Sequence, residues 1–96
     1  MAADLAAKTD RYEDALADAL DAAEPAVPPG SPLGTAAADC REMARSYLTD
    51  GRHFRDDDDP VNALAAFAYG HGWLDAGVRL GLFDVPDGCE LFTSER

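Results

Sequence analysis

Between Glu24 and Pro32 the chain reads EPAVPPGSP, with four prolines and a glycine in nine residues. No regular helix passes through such a run, because each proline lacks an amide donor and its ring collides with the preceding turn. The segment therefore separates an N-terminal helix candidate from everything that follows. With 96 residues in all, the chain fits one domain with a small core.

From about Ala2 to Ala23, Leu5, Tyr12, Leu16 and Leu20 recur at helical spacing, with acidic residues covering much of the rest. The linker 24–32 follows, and its length permits either an antiparallel return or a crossover. Leu33, Ala37, Cys40, Met43 or Ala44, and Tyr47 or Leu48 predict a second helix over 33–49, with Asp50-Gly51 as its stop. Asp59-Pro60 marks the next start, since Asp caps free amides and proline at the first helical position sacrifices no bond. A third helix is expected over 60–80, with Val61, Leu64, Ala68, His71, Asp75 and Val78 on one face, flanked by Phe67, Trp73 and Leu74. Gly70, Gly72 and Gly77 weaken it by up to ~1 kcal/mol each relative to alanine, which points to close approach of another element. Gly81 ends it, and the tail 81–96 is expected to fold back in extended form, with Phe83 and Phe92 covering apolar surface. A small hairpin around Pro86-Asp87-Gly88 is an open alternative. The fold class is thus all-α: a small antiparallel three-helix bundle, or a helical hairpin plus an N-terminal helix, with an extended C-terminal tail.

The stretch Tyr47-Leu48-Thr49-Asp50-Gly51, continued by Asn62 to Gly77 (NALAAFAYGHGWLDAG) and by Leu80-Gly81-Leu82-Phe83, resembles an archaeal family, domain of unknown function 357. The resemblance covers roughly residues 36–92. It implies a small helical archaeal protein and carries no activity. The hairpin also loosely resembles one tetratricopeptide unit, too few for a solenoid. It resembles as well the four-helix domain of nucleotide-binding and toxin systems, some of which cleave RNA through an Arg-x4–6-His motif. Neither His53 nor His71 has an arginine at that spacing, so the ribonuclease motif is missing.

Charge bounds the function classes. Nineteen acidic residues stand against eight basic ones, a net charge of −11, and Lys8 is the sole lysine. An acidic surface can dock a basic partner or cations. The bias toward Ala, Asp and Arg runs along the whole chain, however, which fits a halophilic proteome and a haloarchaeal member of the family. In about 1 M salt the screening length is only ~3 Å, so self-repulsion fades. No basic patch interleaved with aromatics marks a nucleic-acid surface. No secretory signal or membrane-spanning apolar run is present, so a cytoplasmic location with reduced Cys40 and Cys89 is expected.

His71 and Asp75, four residues apart, share a helix face and form the one constellation with chemical potential. They can serve as a base with its orienting group in a nucleic-acid-processing or other enzyme accessory, or as a packing pair. Ser31, Ser46 and Ser94 are the only serines, and metal ligation normally takes three or four ligands. Asp56–Asp59 suggests a cation-binding alternative. It lacks the alternate spacing, central glycine and closing glutamate of an EF-hand loop, and suits a helix N-terminus on dipole grounds. The five glycines Gly30, Gly34, Gly70, Gly72 and Gly77 make no phosphate loop. No catalytic residue, metal site or cofactor is assigned. Tyr47, Phe54, Tyr69 and Trp73, with His71 and Asp75, form the candidate interaction surface of a non-enzymatic helical module that self-associates or binds another protein.

Overall fold

The structure, a computed structural model, describes residues 4–92. It consists of α1 (Leu5–Ala22), β1 (Glu24–Pro25), α2 (Pro32–Asp56), α3 (Pro60–Arg79) and β2 (Phe83–Asp84). The expected start of the first helix at Ala2 lies outside the described residues. The fold is all-α, a small helical bundle with one two-residue strand pair.

Contacts set the directions of the helices. Gly51 faces Phe67 and Ala44 faces Gly70, so α2 and α3 run antiparallel. Glu13 reaches Arg52 and Ala23 reaches Arg41, so α1 is antiparallel to α2 and runs the same way as α3. α3 touches both other helices more extensively than they touch each other and is therefore the central element. Leu16, Phe67, Leu74, Val78 and Phe83 fill the core, with alanines where helices approach. Phe67 is wholly buried, and each such large side chain contributes about 1.5–3 kcal/mol of transfer free energy.

The second helix does not stop at Asp50-Gly51. It continues to Asp56 as a 25-residue helix, and Gly51 is buried inside it. A Cβ at Gly51 would lie 2.2 Å from Phe67 Cε1, so this glycine makes room for an aromatic ring rather than turning the chain. The stop falls at the aspartate run. Asp57 caps α2, Asp58 takes φ +59°, and Asp59 Oδ1 accepts from the Asn62 amide at 3.2 Å to cap α3. Aspartate tolerates the left-handed region better than most residues. Arg52–Asp56, expected as a connector, is thus helical.

The buried stripe of α3 also differs from the expected face. It comprises Ala63, Ala66, Phe67, Gly70, Leu74, Gly77 and Val78, whereas Val61 is 64% exposed and Ala68 is exposed. The stripe is turned by about one residue, roughly 100° of helix. Alanine and glycine populate both sides of α3, so apolar periodicity alone fixes its rotation poorly. Glycines meeting bulky neighbours fix it better: a Cβ at Gly70 would lie 2.8 Å from Tyr47 Cβ and 3.0 Å from Leu16 Cδ2, and one at Gly77 would lie 2.3 Å from the Phe83 ring.

The tail joins the linker rather than pairing with itself. β1 and β2 are antiparallel, with Glu24 opposite Asp84 and Pro25 opposite Phe83, and the Ala26 amide donates to Leu82 O at 2.8 Å. Phe83 and Phe92 are both buried, as expected for a covering tail.

Candidate functional site

The six expected surface residues fall into two groups on opposite flanks of α3. Tyr69 and Trp73, four apart on α3, stack edge-on with centroids 6.5 Å apart. Tyr47 of α2 meets Tyr69 in the same T-shaped manner at 4.8 Å. Phe54, one helical repeat beyond Tyr47, borders a shallow depression of about 360 Å³ with Tyr47, Asn62 and Tyr69. A second depression of about 340 Å³ runs past Tyr69, Gly72, Trp73 and Ala76. Tyr69 is 58% exposed, and a Cβ on Gly72 would meet nothing within 4 Å. T-shaped pairs hold ring orientations and contribute ~0.5–1.5 kcal/mol beyond burial, so this face presents a pre-ordered aromatic ridge.

His71 and Asp75 lie on the flank that faces α1. With Tyr12, Ala15, Phe67 and Ala68 they line a mostly apolar groove of about 280 Å³. His71 is engaged there: its Nε2–H donates to Leu91 O at 2.5 Å, and its ring lies 5.9 Å from that of the buried Phe92. The imidazole thereby secures the C-terminal tail against α3. Among the described residues, no cluster of three or more His, Cys, Asp or Glu is placed to hold a metal ion. The Asp56–Asp59 run spans the junction of two helices: Asp56 ends α2, Asp57 closes it through its backbone amide, and the Asp59 carboxylate caps α3 and also accepts from Asn62 Nδ2 at 2.7 Å. Among the described residues, no buried side-chain polar atom lacks a hydrogen-bond partner.

The charged network was not anticipated from sequence. Glu13 accepts from Arg52 Nε and from Arg55 at 2.7 Å each, and Arg55 also pairs with Asp10. Partial burial pushes the Glu13 carboxyl up, but hydrogen bonds and charge from Arg52 and Arg55 outweigh it and hold the group below its ordinary value. The signal was available: acids three apart on the first helix, arginines three apart after Gly51. Reading 52–55 as a loop concealed it. At the other end of α1, Arg41 donates to Ala23 O at 2.5 Å, satisfying a carbonyl at the helix terminus. Cys40 is half-buried, and burial together with the charge of Asp39 pushes its thiol up. Cys89 is also half-buried and free. Among the described residues, no helix is long and apolar enough to cross a membrane.

Fold and surface together define a small helical domain with an ordered aromatic ridge and a histidine used as a structural clasp. The family model described as a protein of unknown function, DUF357, matches residues 11–83, and the chain belongs to that family. No curated protein and no solved structure matches it.

Proposed function

We propose that this protein is a non-enzymatic interaction module that binds an apolar helix along the exposed face of α3. One observation carries the reading. In a chain of net charge −11, residues 60–74 contain no Asp, Glu, Lys or Arg, although Val61, Ala65, Tyr69 and Gly72 are exposed. An uncharged exposed strip on a strongly acidic molecule is where a neutral partner can dock without desolvating carboxylates. The aromatic ridge at its edge supplies the large, pre-ordered side chains that dominate binding energy. A chemical role for His71 and Asp75 has less support, because one of the two imidazole nitrogens, Nε2, is committed to the tail. A cation-binding role for Asp56–Asp59 has less support too, because the Asp59 carboxylate is engaged in capping α3 and, among the described residues, no three such groups are placed to hold an ion. We also propose a halophilic setting, which the overall charge supports.

A photo-reactive side chain at position 69 tests this, with one at Glu42, on an exposed part of α2 away from the ridge, as control. Labelled protein in a high-salt extract of its native cells should give a discrete adduct from position 69 and none from 42. Absence of any adduct from 69 would refute the module reading.

A further inference from the structure

The occupant of the α3 face follows from how its exposed residues are distributed along the helix. They include Val61, Ala65, Tyr69, Gly72, Ala76 and Leu80, with Val61 and Leu80 exposed by 64% and 74%. Reflected about the midpoint between Gly70 and His71, these six exchange among themselves and the exposed Asn62 exchanges with the exposed Arg79, whereas the exposed Ala68 falls on the half-buried Trp73. Position 61 exchanges with 80, 65 with 76, and 69 with 72. Any face of a regular helix has some such symmetry, but here the chemistry matches at the three exchanges along the midline and ends of the face. The two most exposed aliphatic side chains meet, two alanines meet, and a protruding tyrosine meets a glycine above which there is open space.

Resting on the module reading above, we propose that the partner is a second copy of this chain, with two α3 helices crossing antiparallel about a two-fold axis so that Tyr69 of each copy seats over Gly72 of the other. Such a contact is self-complementary, as a two-fold interface requires. Alanine and glycine along the midline permit interaxial distances near the short end of the ~8–10 Å range. Charge selects the direction. α3 is preceded by Asp56–Asp59 and ends at the exposed Arg79. Antiparallel crossing sets Arg79 opposite Asn62 of the second copy, within side-chain reach of that copy's Asp58 and Asp59. Parallel crossing would stack one aspartate run on the other and one Tyr69 on the other, leaving Gly72 facing Gly72. The net −11 on each copy opposes association in dilute buffer, so screening salt strengthens the dimer.

The test uses the full chain with Cys40 and Cys89 replaced by alanine. A chain carrying Ala65→Cys, mixed under mild oxidation with one carrying Ala76→Cys, should give a cross-linked dimer. Ala65→Cys alone should not, because the two position-65 sites are roughly 16 Å apart along the axis at 1.5 Å per residue. Sedimentation equilibrium in about 2 M KCl should show the unmodified protein as a dimer. Tyr69→Asp should weaken it by roughly 30-fold or more while leaving the far-ultraviolet circular dichroism unchanged. A monomer at high micromolar concentration, or Ala65→Cys chains linking to themselves as readily as the mixture links, would overturn the proposal. A discrete position-69 photo-adduct of a mass other than twice the chain would then show that the second-copy assignment alone had failed. Loss of both signals would remove the module reading with it.

Discussion

Replacing Gly51 by alanine tests the packing of α2 on α3 at its tightest point. In an exposed helix interior, Gly→Ala stabilises by up to ~1 kcal/mol through backbone entropy. At Gly51 the new methyl would sit 2.2 Å from Phe67 Cε1 and 2.6 Å from Cδ1, well inside the ~3.5–4.0 Å of an ordinary carbon contact. Phe67 is fully buried between helices, so its ring can give way only toward the groove it borders on the α1 flank, at the cost of its present packing. Overpacking of this kind costs typically ~1–3 kcal/mol, and for an overlap this deep the cost should exceed the propensity gain. Gly51→Ala should therefore destabilise by a net ~1–2 kcal/mol, a fall in Tm of roughly 4–15 °C for a domain of this size. Gly72→Ala is the matched control. A Cβ there meets nothing within 4 Å, so the same substitution should stabilise by ~0.5–1 kcal/mol. Urea unfolding followed by circular dichroism, at low protein concentration so that association does not contribute, gives both numbers. Adding Phe67→Leu to Gly51→Ala should recover part of the loss, a favourable coupling in the double-mutant cycle. If Gly51→Ala raised stability as much as Gly72→Ala does, the tight α2–α3 contact described above would be wrong.

Three further outcomes are expected. Because the folded-state carboxyl of Glu13 titrates below its ordinary, unfolded value, its contribution is fully present above that value and is lost as pH falls through the lowered folded one. The urea midpoint should therefore fall less steeply on acidification in Glu13→Gln than in the parent; parallel curves would refute the role given to Arg52 and Arg55. Raising KCl from about 0.1 M to 3 M should raise the melting temperature, since screening relieves nineteen carboxylates opposed by eight cations; an unchanged melt would reject the halophilic reading. His71→Ala removes the bond to Leu91 O and the contact with Phe92. It should cost ~1–2 kcal/mol and speed amide exchange in residues 83–92 before the rest of the chain; uniform acceleration would mean that His71 holds no local clasp.

The sequence revealed the elements that rest on local chemistry. Proline in 24–32, the Asp59-Pro60 start and the repeat of leucines each act within a few residues of themselves, and the helices follow them closely. It misled where one residue type serves two ends. Gly51 carries the composition of a helix stop, yet its role depends on Phe67, sixteen positions away, and no local pattern expresses that dependence. The same limit displaced the buried stripe of α3, where alanine is equally at home inside and outside. The candidate surface was half legible. Tyr47, Phe54, Tyr69 and Trp73 do come together, whereas His71 and Asp75 share their helix but face α1. The last two turns of α2, expected as a connector, also hid the arginines that grip the first helix.

The two attachments of α1 differ in kind. Near Ala23, Arg41 secures a backbone carbonyl beside packed alanine and the strand pair; near Asp10 and Glu13, partly exposed ion pairs add to the packing of Thr9 and Leu16. Acid erodes the second hold and spares the first. The N-terminal arm should therefore swing outward about its proline-rich end like a door on one hinge, unzipping the bundle from a single defined edge before the central helix pair gives way.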